Sequence, residues 1–231
     1  MTKRQGRAIA LGSVCIFLAA GLFFREKADK IPMADSDRSP FTDAARRVSQ
    51  SVVGVTGYSG GERMQTGSGV VISDKYILTN YHVIEGADRT EISASGKEIP
   101  ADVRAYDKEL DAAVLYAGRL NVRPAQIGDS DRVQAGEWVI CVGNPVSDAL
   151  RGTVTAGIVS ALDREVSLVQ TMIQTDAAIN SGSSGGGLFN VLGELIGIPT
   201  MKYTGETVEG IGLAIPVNSV KALIRKALGE G

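Results

Sequence analysis

The sequence predicts an all-β fold, a sandwich or barrels, on three observations. Short apolar runs of strand length recur from residue 52 onward, with turn signals between them. The chain carries 28 Gly against 7 Pro with no Gly-x-y period, which excludes a collagen-like helix and supplies many tight turns. Past residue 51, a sustained helical period is found only at the C-terminal end.

Taken in order, Phe41 to Gln50 reads as a short amphipathic helix. Strands are expected near residues 52–56, 68–73, 76–79, 90–95, 98–106, 112–117, 125–127, 138–142, 153–162, 168–175, 187–189, 195–200 and 212–215. The last element is a helix, with Asn218 or Ser219 as its cap, Val220, Leu223, Ile224 and Leu228 as its apolar side, and Gly229 as its stop. The stretch from Gly118 to Pro124 divides the region into two β units, about residues 50–118 and 125–216.

The first 27 residues differ from the rest. Lys3, Arg4 and Arg7 precede an uncharged run, Ala8 to Phe24, and Arg25, Glu26 and Lys27 follow it. The 17-residue run would reach about 25 Å as a helix, the low end of a bilayer span and the upper end of a signal-peptide core. We read it as an uncleaved signal anchor; a cleaved signal and a buried core helix are the alternatives. Either export reading places the following domain outside the cytoplasm. Residues 28–40 lack an apolar period and read as a tether between membrane and domain. Residues 1–27 hold five basic residues and one acidic one, so the remainder has 19 basic against 25 acidic, a net charge of −6.

With 44% hydrophobic and 22% charged residues among 231, the chain is globular, large enough for one large domain or two small ones. Its overall charge of −2, with no basic stripe, excludes a nucleic-acid partner. One histidine (His82) and two cysteines (Cys15 and Cys141) argue against a zinc finger, a His-rich metal site and a disulfide framework, and no cofactor is expected. Acid–base chemistry near neutral pH therefore falls on His82 or on a perturbed carboxylate, thiol or lysine.

Asn180-Ser181-Gly182-Ser183-Ser184-Gly185-Gly186-Gly187 is either a flexible Gly/Ser turn or a nucleophile loop. In the second reading a serine hydroxyl is exposed on a tight backbone while two amides converge on a developing oxyanion. Ser184 is the candidate nucleophile because two glycines follow it, unlike Ser181 or Ser183, and the Gly182 and Ser184 amides are the candidate oxyanion donors. A serine nucleophile needs a base, and His82, where an apolar strand ends, is the one imidazole. The base needs a carboxylate, and Asp111 heads the apolar strand 112–117, where a charge is costly unless paired. The order His, Asp, Ser, with spacings of 29 and 73 residues, is the chymotrypsin order and neither the subtilisin nor the α/β-hydrolase order.

Gly67-Ser68-Gly69-Val70-Val71-Ile72, followed by Tyr76-Ile77-Leu78-Thr79-Asn80-Tyr81-His82-Val83-Ile84, resembles the HtrA/Deg-type branch of the chymotrypsin-like serine proteases. The resemblance continues through Asp107 to Leu115, Val142-Gly143-Asn144-Pro145, Thr153 to Leu162, Gln174 to Asn180 and Gly210 to Pro216, covering nearly all of residues 41–228. It implies two six-stranded β-barrels within 41–231, with His82 and Asp111 from the first and Ser184 from the second meeting in the cleft between them. It also implies polypeptide substrates, acyl-enzyme chemistry, and trimers formed through the N-terminal part of the domain, with Phe41 as a candidate contact.

The departures matter. Ser181, Ser183 and Gly187 stand where family members usually have Pro, Asn and Pro, which should loosen the oxyanion loop. Ser183 also cannot make the ion pair by which digestive relatives are activated, so no zymogen cleavage is expected. The chain stops near Gly229, where HtrA-type proteins usually continue into PDZ domains, so a protease domain alone is expected. Ala178, in the place of a trypsin-like pocket carboxylate, argues for a small or medium apolar side chain in the substrate. The resemblance also brings Met201, Lys202 and Tyr203 near the pocket wall, where Lys202 would favour acidic groups. The expected function is a membrane-anchored extracytoplasmic serine endopeptidase for unfolded or misfolded proteins. The alternative is a binding or holdase module of the same fold with weak or no catalysis, motivated by Ser183 and Gly187.

Overall fold

A computed structural model describes residues 40–144, 152–165, 171–202 and 210–230. The expected anchor, the tether as far as residue 39, and Tyr203 lie outside the described residues, as do the side chains of Met201 and Lys202. Among the described residues no helix is long and apolar enough to cross a membrane.

Helix α1 (Pro40–Val48) runs into a 3-10 turn, Ser49–Ser51. Six strands follow: β1 (Val52–Ser59), β2 (Glu62–Ser73), β3 (Tyr76–Thr79), β4 (Arg89–Ala94), β5 (Lys97–Asp107) and β6 (Ala112–Ala117). They close into an antiparallel barrel in the order β1-β2-β3-β6-β5-β4. The short strand β7 (Gln126–Ile127) follows, then β8 (Trp138–Gly143), β9 (Thr153–Arg164), β10 (Met172–Thr175), β11 (Gly187–Asn190), β12 (Glu194–Lys202) and β13 (Gly212–Pro216). The order β11-β8-β9-β10-β13-β12, with β12 also paired to β11, closes a second six-stranded barrel, and β7 adds in parallel along β12. Among the described residues, closure of both sheets leaves no long free edge.

Strands β3 and β6 of the first barrel and β8 and β13 of the second bury both faces, so their apolar residues run consecutively instead of alternating. Val71, Ile77 and Leu115 point into the first barrel with Val53, Val55 and Ile92. Their neighbours Val70, Leu78 and Val114 join Ile140, Val142, Phe189, Leu213 and Ile215 in a separate cluster. That cluster draws on strands of both barrels and on both helices, and so cements the barrels together. Cys141 lies inside the second barrel with Val139, Val159, Ile173 and Leu188. Burial pushes its thiol up to about 12, against a usual 9.0, which keeps it protonated and unreactive.

Two departures from the sequence reading have local causes. Strand β2 begins at Glu62, not Ser68; its first five residues, Glu62 to Thr66, are exposed and carry no apolar run that would mark a strand. They pair with β1 through the Gly60-Gly61 turn, where φ is +59° and +87°. The closing helix, α2 (Val217–Leu228), has Pro216 at its cap position and no side-chain cap, so neither Asn218 nor Ser219 caps it. Instead, Asn218 Nδ2 donates to Asp129 Oδ1 (2.7 Å) and the Asn218 amide to Ser130 Oγ (3.1 Å), which ties the helix start to the 3-10 turn at Ser130–Arg132. Gly229 ends α2 in the left-handed conformation, as expected.

Candidate active site

Asp107 Oδ1 accepts hydrogen bonds from the Glu109 and Leu110 amides, both at 3.0 Å, and so shapes the β5–β6 turn. That turn ends on Asp111 at φ +50°, a left-handed conformation unusual outside glycine. The Asp111 carbonyl is held by Asn80 Nδ2 (2.8 Å), from the residue just after β3. Asn80 also starts the 3-10 turn Tyr81–Val83 that carries His82. The β3–β6 pairing, Thr79 opposite Ala113, therefore brings the ends of these two strands, and with them His82 and Asp111, to one place.

The Asp111 carboxylate is a junction. Its Oδ2 accepts from His82 Nδ1 (2.8 Å) and from Thr200 Oγ1 (2.6 Å), and its Oδ1 accepts from the His82 amide (2.9 Å). Burial pushes this carboxyl up, but the bonds from the His82 ring, Thr200 and the His82 amide outweigh it and hold Asp111 below its usual 3.8. An ionised carboxylate only accepts, so the imidazole proton sits on Nδ1 and Nε2 is left as the basic nitrogen.

Ser184 is partly exposed, between two glycines in the left-handed region, Gly182 (φ +88°) and Gly185 (φ +81°). Its hydroxyl donates to the Thr200 carbonyl at 3.2 Å. Thr200, in β12, thus touches both the serine hydroxyl and the carboxylate that orients the histidine. Among the described residues no hydrogen bond joins Ser184 to His82. Neither the Gly182 nor the Ser184 amide, the two expected oxyanion donors, donates a hydrogen bond to a described residue.

The loop is more constrained than its composition implies. Ser183 is buried; its amide donates to the Asn180 carbonyl (2.8 Å) and its hydroxyl accepts from the Asn180 amide (3.4 Å), closing the turn that carries Gly182. Gly143 lets Ser183 approach, since a Cβ there would lie 2.9 Å from Ser183 Cα. Gly187 has a packing role: the Phe189 ring occupies the space that any side chain at 187 would need.

Of the pocket candidates, Ala178 is exposed and its carbonyl accepts from Thr155 Oγ1 (2.8 Å). Met201 and Lys202 lie on β12 opposite Leu213 and Gly212. The neighbouring Ile179 is buried against Gly212, where a Cβ would lie 2.7 Å from its Cδ1. Sequence reasoning passed over Thr200, Asn80 and Ile179. Thr200 carried no signal beyond strand-like surroundings, whereas Asn80 and Ile179 lay inside motifs already singled out.

Two closed antiparallel barrels, with a His–Asp pair from the first and a glycine-flanked serine from the second, define a chymotrypsin-like architecture. The chain belongs to the trypsin-like peptidase domain family, whose model matches residues 67–198, and within it to the HtrA-type serine proteases. It is 39% identical over 228 residues to a serine protease Do-like HtrA of Bacillus subtilis, a match covering 90% of this chain and 51% of that protein. A serine protease Do-like HtrA of Lactococcus lactis subsp. cremoris is 35% identical over 280 aligned positions, covering all of this chain and 69% of that one. Among solved structures, the serine endoprotease from Yersinia pestis matches with a TM-score of 0.73 and 38% identity, covering 84% of this chain and 68% of its own. The HtrA-type protease AlgW with a tripeptide matches at 0.74 and 36%, covering 81% and 63%. The chain spans about half the length of the first curated relatives it matches.

Because Asp111 is held below its ordinary value, its ionised form contributes stability above pH 3.8, and that contribution is lost as pH falls through the folded-state value. Thr200→Val deletes one donor and raises the folded-state value towards 3.8, so the contribution should be smaller and fully lost at higher pH. Acid titration followed by circular dichroism should show the unfolding midpoint of Thr200→Val shifted upward, with a cost of about 1–2 kcal/mol at pH 7.

Proposed function

We propose that the chain is a serine endopeptidase acting on polypeptides through an acyl-enzyme. The observation that carries this reading is the Asp111–His82 pair, with the Ser184 hydroxyl resting on Thr200, the residue that also binds Asp111. Rotation of the Ser184 hydroxyl away from the Thr200 carbonyl presents its proton to His82 Nε2. Ser184 Oγ then attacks the scissile carbonyl as Nε2 takes the proton, and the carbonyl oxygen, now an anion, is met by the Gly182 and Ser184 amides. Collapse expels the amine, which receives the proton from His82. Water, deprotonated by the same nitrogen, releases the acyl group and restores the serine. Asp111 holds the tautomer and stabilises the imidazolium. A fluorophosphonate probe should label the wild type and not Ser184→Ala. Casein turnover should fall by about 10⁴-fold or more in Ser184→Ala and in His82→Ala, with no second imidazole to substitute. Wild-type protein that folds and stays unlabelled would overturn the reading.

The pocket reading is supported by Ile179 packed on Gly212 and by the absence of a carboxylate at Ala178, which together favour small or medium apolar side chains at the cleaved bond. Unfolded or misfolded proteins, which expose such segments, are the proposed substrates. A second reading, a binding module with little turnover, is favoured by one observation: the Ser184 hydroxyl bonds to Thr200 and not to His82. Retained casein binding without cleavage by the wild type would select it.

Anchoring, with the domain on the extracytoplasmic side, is supported by the uncharged run Ala8 to Phe24 behind Lys3, Arg4 and Arg7. The full chain should stay in the membrane pellet after alkaline carbonate extraction; release into the supernatant would reject an uncleaved anchor. Assembly as a homotrimer is proposed through the N-terminal face, where Phe41 packs edge-on against Trp138, centroids 5.0 Å apart. Trp138 is 57% exposed and Leu192 70% exposed beside a groove also lined by Val191 and Ile196. Native mass measurement should give three chains, and Trp138→Ser should give one; a monomeric wild type would refute the assembly.

A further inference from the structure

Ser68 is fully buried on β2 of the first barrel, and it meets the nucleophile loop of the second with both its backbone and its side chain. Its amide donates to the Ser184 carbonyl at 2.8 Å. Its hydroxyl donates to the Gly182 carbonyl at 2.6 Å and accepts from the Asn144 amide at 2.7 Å. Its own carbonyl accepts from Thr79 Oγ1 at 2.7 Å. Every polar group of Ser68 is thus committed, and two of its bonds end on the loop around the candidate nucleophile.

Their placement on the loop is specific. The peptide between Gly182 and Ser183 is held at its carbonyl by the Ser68 hydroxyl and at its amide by the Asn180 carbonyl. The peptide between Ser184 and Gly185 is held at its carbonyl by the Ser68 amide and at its amide by the Pro199 carbonyl (3.0 Å). Between them lies the peptide whose amide is that of Ser184, free to receive an oxyanion. Gly182 supplies the other amide, and glycine takes either sign of φ at little cost, so a bond to its carbonyl is what restrains its orientation. The flanking glycines permit the approach: a Cβ on Gly67 would lie 2.9 Å from the Ser184 carbonyl oxygen, and one on Gly185 would collide with the Ser68 carbonyl oxygen and Thr79 Oγ1.

We propose that Ser68 is a positioning residue for the oxyanion-binding amides, acting through Gly182 and Ser184 from the opposite barrel. The proposal rests on the reading of Ser184 as nucleophile. Its hydroxyl touches no reacting atom; it keeps two amides aimed at the place where negative charge develops, so its removal should raise the barrier without weakening substrate binding.

The test uses the full chain as wild type, Ser68→Ala and Ser68→Cys, with thermal unfolding as the check of folding. Ser68→Ala should label with a fluorophosphonate about 10- to 100-fold more slowly and lose kcat on casein by a similar factor, with KM within about twofold. The pH dependence of labelling should not move, because His82 and Asp111 are untouched. Ser68→Cys, which keeps a weak donor of similar size, should fall between the two, and it carries the test if the alanine variant does not fold. Wild-type rates in a folded variant, a loss confined to KM, or a shifted pH profile would each overturn the proposal. An unlabelled wild type would instead remove the serine-nucleophile reading beneath it.

Discussion

The Asp111 carboxylate accepts hydrogen bonds from both barrels at once, from His82 beside it in the first and from Thr200 in the second. A half-buried carboxylate with fewer donors would be pushed towards its neutral form, and a neutral Asp111 could no longer fix the proton on His82 Nδ1. The contact between barrels and the protonation pattern of the site are therefore one constraint. It explains why Asp111 tolerates a left-handed backbone: the turn set by Asp107 and the Asn80 bond to the Asp111 carbonyl deliver the carboxylate to the one place where all its donors converge.

The barrels can meet so closely because the residues at their junction are small or apolar. Gly67 and Gly185 remove side chains where β2 and the serine loop touch, and Val70, Leu78, Val114, Ile140 and Val142 fill the remaining interface. Apolar packing supplies contact without direction, whereas the bonds through Thr200 and Ser68 supply direction. The loop at Asn180–Gly187 shows the same division. Its composition reads as slack, yet Ser183 turns back on Asn180 and the Phe189 ring fills the space over Gly187. The substituted positions are held here by a turn closed within the loop and by a ring that lies beyond it.

Much of the fold was legible along the chain. Strands β3 and β6 lie where the apolar runs ended, because both their faces are buried and each run is bounded by turn residues. The first half of β2 was not legible, since its side chains face water and only the register with β1 makes it a strand. Asn218 was a reasonable helix cap in isolation, but Pro216 occupies the cap position and the side chain is drawn to Asp129 instead.

The sequence by itself determined the chemical inventory. One imidazole, a glycine-flanked serine and an aspartate at the head of an apolar run, in a fixed order, are visible as letters because their meaning lies in residue type and local spacing. The tertiary structure alone decided how they are held. Thr200 lies 89 residues from Asp111 and Gly182 lies 114 from Ser68, and neither pair shares a local period that a reading of the chain could detect. Hydrogen bonds over such separations exist only after two barrels have closed and packed. The residues of the candidate triad could therefore be named from the chain, and the cross-barrel partners that hold them could not.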